Sequence, residues 1–186
     1  MNAAGAGDGV PGASRAGAAV SLDEVELLRA MVAIPSPTGR EREATGWLVQ
    51  QLRALGVPAR RDRAGNVVGI VEPLGGMATA GDVYLLGHID TVAGFWPVEL
   101  LGGRLSGRGA SDAKGPLAAF VAAALRARSR LRRRVLILAA VGEEGDSRGA
   151  RHLARSLPPP QYLVVGEPSG AGCLVIGYRG RLRCRL

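Results

Sequence analysis

Three apolar runs in this chain end alike. LLGHIDTV (residues 85–92), VGEEG (141–145) and VVGEPSG (164–170) each lead through a glycine into an imidazole or a carboxylate. Residues 135–141, which lead into VGEEG, are a continuous apolar run, as in a strand covered on both faces. A buried strand that stops at Gly-His or Gly-Glu carries its polar residue to one edge of the sheet. In open α/β sheets, ligand sites gather at the carboxyl ends of the strands. The repeated ending restricts the chain to a layered α/β fold with its chemistry along one edge.

The intervening segments fit that fold. Leu22, Val25, Leu27, Leu28 and Met31 form an apolar stripe over residues 22 to about 33, after an S-x-x-E capping box at Ser21 and Glu24. Two prolines in IPSPTG break this helix. Thr38 and Glu41 form a second capping box, for a helix that runs to about Leu55 and ends at Gly56 and Pro58. An alanine-rich helix is expected from residue 113 to about 128, and another over 147–157, stopped by three prolines. Strands are expected at 67–71, 83–87, 135–141, 162–165 and 173–178, with a loop over 73–81. With 47% hydrophobic but only 4% aromatic residues, the core must be Ala, Val and Leu. Helices alternating with strands indicate an α/β architecture. Residues 1–20 lack a basic region and a sustained apolar region, so they read as a disordered lead-in and not a signal peptide. RGRLRCRL (179–186) alternates Leu182, Cys184 and Leu186 with arginines, like a strand with one exposed face. It stops in mid-pattern, so the chain is expected to be incomplete.

His88 and Asp90 lie two apart just past a strand and so project from the same face. A neutral imidazole is a common metal ligand, and a carboxylate on its other nitrogen fixes its orientation. GRGASDAKGP places Asp112 at the mouth of a helix, among glycines that let a ligand approach the backbone. Glu143 and Glu144 are adjacent carboxylates, which repel each other in a small site unless a cation or proton relieves them. Glu167 follows a third strand. Each residue alone has a plain structural use: a strand-end histidine bonded to a local aspartate, a carboxylate at a helix N-terminus, or an acidic turn. Together they set one imidazole and several carboxylates along one edge, a ligand set suited to zinc, cobalt or manganese. His152, with Arg151 and Arg155 beside it on a helix, reads as a solvated residue and not as a ligand.

LLGHIDTV, GRGASDAKGPLAAF, VGEEGDSRGA and VVGEPSG, in this order and spacing, resemble the M20 metallopeptidase family. That family includes acetylornithine deacetylases, succinyl-diaminopimelate desuccinylases, carboxypeptidases and aminoacylases. The resemblance covers about residues 25–186. IPSPTGRE and DAKGPLA look most similar to the subgroup that releases lysine or ornithine from an amino-group carrier protein. The resemblance implies a three-layer, zinc-aminopeptidase-like catalytic domain over residues 21–178, with 179–186 as the first strand of a lid and dimerisation domain. It implies two divalent metal ions, zinc or cobalt. His88 and Glu167 would bind one ion, Glu144 the other, and Asp112 both. Asp90 would orient His88, and Glu143 would be the general base. The implied reaction is hydrolysis of an amide bond in a small N-acyl amino acid or peptide, or on an acidic carrier protein. Family members are roughly twice as long and use a further histidine near their C-terminus for the second ion. The full-length form is expected to be a homodimer.

The 24 basic residues outnumber 16 acidic ones, for a net charge of +8, and all the basic residues but Lys114 are arginines. They cluster most tightly in RARSRLRRR (126–134). No recognition motif accompanies the cluster, so nucleic acid is not an expected partner. The run suits a helix end and polar turn, or a surface for the acidic carrier. GGRLSGRGASD has no following G-K-[ST] and is not a phosphate-binding loop. Cys173 and Cys184 form no CxxC pair, which suits reduced thiols in a cytoplasmic protein. No apolar run reaches the ~18 residues of a membrane span. The competing reading is a one-metal or non-catalytic module used for metal binding or scaffolding. Glu143 argues against it, because such a module has no use for a base.

Overall fold

The alternating faces of one strand organise the molecule. The computed structural model describes residues 22–76, 79–170 and 172–177. Its helices are α1 (Glu24–Ala33), α2 (Arg42–Ala54), α3 (Lys114–Ala127) and α4 (Arg148–Ser156). Its strands are β1 (Ala59–Arg61), β2 (Val67–Val71), β3 (Val83–His88), β4 (Glu99–Leu101), β5 (Arg104–Ser106), β6 (Val135–Ala140) and β7 (Tyr162–Val165). All six residues of β6 are buried. Val135, Ile137 and Ala139 join a core with Met31 of α1, Leu48 and Leu52 of α2, and Leu117 and Val121 of α3. Leu136, Leu138 and Ala140 join a second core with Val68, Tyr84 and Leu153 of α4. The period-two alternation of an unbroken apolar strand thus fills two cores and gives three layers.

The main sheet has the order β1-β2-β6-β3-β7. β3 runs parallel to β6 and β7, whereas β2 runs antiparallel to β6 and β1 antiparallel to β2. From β3 the chain moves one way across the sheet to β6, then back past β3 to β7. Right-handed crossovers in opposite directions put their helices on opposite faces. α3 therefore packs in the first core and α4 in the second. The split opens a crevice where β3 and β6 end, at His88 and Ala140, which are paired in register.

The expected strands at 67–71, 83–87, 135–141 and 162–165 are present within a residue or so. Several expectations need correction. The first helix is capped by Asp23, whose Oδ1 accepts from the Val25 and Glu26 amides; Ser21 lies outside the described residues. Thr38 does not cap α2, because its hydroxyl donates to Asp90; the cap position is Glu41, without a side-chain bond to the helix. Residues 173–177 form no regular strand, and Tyr178 lies outside the described residues, as do residues 1–20, 179–186 and Cys184. The short strand β1 and the β4–β5 hairpin were not anticipated; both are three residues per strand and largely exposed, so they carry no burial pattern. β7 is exposed along its whole length. Among the described residues, no helix is long and apolar enough to cross a membrane.

Asn66 locks the β1–β2 turn to the edge of the sheet where β3 and β6 end. Its Oδ1 accepts from the Val141 amide at 3.0 Å, and its Nδ2 donates to Asp62 Oδ2 at 2.7 Å and to the Gly149 carbonyl at 3.1 Å. Position 149 must be glycine, since a Cβ there would run into Asn66 Oδ1 and the Val141 backbone. Asn66→Ala leaves the buried Val141 amide and Gly149 carbonyl without these partners and is expected to cost about 3 kcal/mol of stability by urea denaturation. A loss under about 1 kcal/mol would mean that the turn is held by other contacts.

Candidate metal centre

His88 is the last residue of β3 and is 1% exposed. Its Nδ1 lies 3.0 Å from the main-chain oxygen of Asp90 and 3.6 Å from Asp90 Oδ1. A main-chain oxygen only accepts, so Nδ1 carries a hydrogen, and Nε2, beside Asp112 Oδ1, is the nitrogen that can bind a cation once its own proton is lost. Around Nε2 stand Asp112 Oδ1 at 3.0 Å, Glu143 Oε2 at 3.8 Å and Glu167 Oε2 at 3.9 Å. Donor atoms of His88, Asp112 and Glu144 all lie within 4.8 Å of one another. The structure thus brings five of the six residues singled out in the sequence, His88, Asp112, Glu143, Glu144 and Glu167, to one crevice.

Asp90 is fully buried beneath them. Its carboxylate accepts from the Glu143 amide at 3.0 Å, the Glu144 amide at 3.1 Å and the Thr38 hydroxyl at 2.8 Å. It therefore shapes the turn that presents the two glutamates. Thr38 was missed in the sequence as a site residue because T-x-x-E reads as a helix cap. Its placement comes from backbone pairing: the Thr91 amide donates to Ser36 O, and the Thr38 amide to Thr91 O. Lys114 is also completely buried, and its Nζ donates to the carbonyls of Met31 and Ile34 at the end of α1. That bond pins the start of α3, directly after Asp112, to α1. Burial lowers the Lys114 pKa to about 8.

Charge crowding marks the crevice. Burial alone would lower the His88 pKa, but Asp90, Glu167 and Glu143 outweigh it and raise it to about 9. Burial also raises the Glu144 carboxyl, with Asp112 and Glu143 adding to the shift. Glu167 is raised by burial and by Glu143, Asp112 and Glu144, against the pull of His88. Burial would raise Asp90 too, yet the neighbouring His88 imidazole and hydrogen bonds from Thr38 and the Glu143 and Glu144 amides hold it low. A divalent cation would relieve this repulsion. The donors fit one: they are an imidazole and carboxylates, and donor atoms of His88, Asp112 and Glu144 already lie within 4.8 Å of one another. His152 stands elsewhere, with Nε2 3.7 Å from Asp62 Oδ2.

Residues 84–179 match the sequence profile of Peptidase family M20/M25/M40. The chain belongs to this family. It is 42% identical over 163 residues to a protein of Pyrococcus abyssi named a LysW-lysine/LysW-ornithine hydrolase, with 88% of this chain and 45% of that protein covered. It is also 42% identical over 161 residues to the LysW-lysine hydrolase of Deinococcus radiodurans, covering 84% of this chain and 43% of that protein. The chain thus spans under half the length of these relatives. Among solved structures, aminopeptidase PepT from Bacillus cereus superposes with a TM-score of 0.66 at 22% identity, over 79% of this chain and 43% of that one. At that identity the likeness speaks for the fold. Arg132, Arg133 and Arg134 stand just before β6, at the end of the sheet opposite His88. Six strand residues separate the two ends, about 20 Å.

A metal ligand must be deprotonated. Because His88 holds its proton up to about pH 9 in the metal-free protein, zinc or cobalt affinity is expected to rise steeply from pH 7 to 9 and then level. Calorimetry in buffers of different ionisation enthalpy should register proton release at pH 7. His88→Ala is expected to weaken binding by roughly 100-fold or more. Affinity that is flat across this pH window, or unaffected by the substitution, would place the metal elsewhere.

Proposed function

We propose that this chain carries the metal-binding part of a hydrolase that cleaves an amide bond in an N-acylated amino acid or peptide. The observation that carries the reading is the convergence of three carboxylates on one buried imidazole, with a fourth, Glu144, in the same cluster. His88 and Glu167 would hold one divalent ion, Glu144 a second, and Asp112 would lie between them. Zinc or cobalt bound there would supply Lewis-acid polarisation of the scissile carbonyl and a lowered pKa for the attacking water. Glu143 would remain unligated and accept the proton of that water. It would then return the proton to the departing amine. Asp90 would keep Glu143 and Glu144 pointing apart through the two amides it binds.

The relatives named for LysW-linked lysine and ornithine support a finer reading. The substrate would be lysine or ornithine joined by an amide to the carrier protein LysW, in amino-acid biosynthesis in the cytoplasm. The whole protein would act as a homodimer. A deacetylase acting on small N-acyl amino acids would use the same centre.

Glu143→Gln keeps the shape of the side chain and removes its basicity. In the full-length protein, hydrolysis of an N-acyl-lysine amide is expected to fall by at least about 100-fold in kcat, while metal content measured by atomic emission stays unchanged. Unchanged turnover would remove Glu143 from the role of base. Full metal content without turnover in either form would favour the metal-binding module instead.

A further inference from the structure

Among the described residues, neither the Glu143 nor the Glu144 carboxylate accepts a hydrogen bond from the chain. His88 Nε2 stands 3.8 Å from Glu143 Oε2, beyond hydrogen-bonding reach. Only the main-chain amides of the two glutamates are held, by Asp90. The direction of both carboxylates is therefore a property of the turn that carries them, residues 142–147.

That turn closes on Gly142, whose carbonyl accepts from the Gly145 amide at 3.3 Å and from the Ser147 amide at 2.6 Å. Gly142 has a φ of +72°, and a Cβ there would collide with Nη1 of Arg148. Arg148, the first residue of α4, thus packs its guanidinium against the residue that precedes Glu143. Glu41 sets the place of that guanidinium. Arg148 Nη2 donates to both Glu41 oxygens at 2.8 Å. Glu41 is buried and also accepts from the Gly39 amide at 2.9 Å. The same loop meets the turn a second time, since a Cβ on Gly145 would lie 2.9 Å from Thr38 Cγ2.

Stability alone gives little reason for such a pair, because packed apolar side chains in place of a buried ion pair are often as stable. An arginine bonded to a fixed carboxylate does something an apolar contact does not: it holds a flat, rigid group in one place. We propose that Arg148, fixed by Glu41, is the positioning residue of the glutamate turn. By bracing Gly142 it keeps Glu143 and Glu144 in the different directions that a base and a metal ligand need. It acts through the backbone and not on the substrate. The roles of the two glutamates rest on the hydrolase reading above; the bracing of the turn does not.

Two variants separate turn geometry from stability. Arg148→Met removes the guanidinium and leaves the buried Glu41 carboxylate unpaired. E41Q/R148M then removes that unpaired charge. Urea denaturation is expected to show a loss of stability in Arg148→Met that the double substitution partly recovers. Hydrogen exchange of the metal-free protein, followed by NMR, is expected to show no such recovery. In both variants the Glu143, Glu144 and Ser147 amides should exchange at least about 10-fold faster than in the wild type, relative to the β6 amides. In the full-length, metal-loaded protein, kcat for an N-acyl-lysine amide should fall at least about 10-fold in both variants, with KM within about twofold. Turn protection that returns together with stability in E41Q/R148M would mean that the pair only anchors α2 to α4, and would overturn the proposal. So would wild-type protection of the turn in Arg148→Met, or a loosened turn with unchanged kcat. Exchange is read without turnover. A wild-type protein that fails to hydrolyse the amide would therefore sink the hydrolase reading, while exchange would still decide whether Arg148 braces the turn.

Discussion

The buried carboxylate of Asp90 ties together the three chain segments on which the site depends. It follows β3, it accepts the Thr38 hydroxyl from the loop after α1, and it accepts the amides of Glu143 and Glu144 beyond β6. Burying a charge without partners is costly, so the three hydrogen bonds are what make its place tenable. In return, the segments cannot shift independently. His88, one turn of chain away, takes its orientation from the Asp90 main-chain oxygen. One residue thereby fixes both the imidazole and the pair of glutamates, through its backbone on one side and its side chain on the other.

That rigidity permits an arrangement that would otherwise repel itself. Asp112, Glu143, Glu144 and Glu167 surround a single imidazole, and the charge mismatch shows in raised pKa values for His88, Glu144 and Glu167. Elsewhere the fold supplies anchors at the same edge. Asn66 joins the β1–β2 turn to Val141 and Gly149, and Lys114 joins the start of α3 to the end of α1. These anchors lie behind the carboxylates and do not compete for the donor atoms. The strain of like charges is held by the scaffold, ready to be relieved by a cation.

Much of this was legible in the sequence because it follows from period and position. The strand endings at Gly87-His88, Gly142-Glu143 and Gly166-Glu167 placed their polar residues along one edge, and the sheet order confirms that edge. The layers were legible from the unbroken apolar run of β6. Other features depended on contacts that cross the sequence. Thr38 was read as a cap because nothing local reveals Asp90, 52 residues away. Nothing local singles out Asn66, since its partners Val141 and Gly149 are distant in the chain. The burial of Lys114 contradicts the usual exposure of lysine and could be suspected only from its being the single lysine among arginines. β1 and the β4–β5 hairpin escaped because short exposed strands have neither an apolar run nor alternation.

The central claim is that the crowded crevice at the ends of β3 and β6 is a metal centre. Crystals grown with zinc and measured on both sides of the zinc absorption edge would test it most directly. An anomalous peak is expected at bonding distance, about 2.0–2.2 Å, from His88 Nε2 and an Asp112 oxygen. Zinc that scatters only from other sites on the protein, with the His88 crevice lacking a peak, would contradict the account.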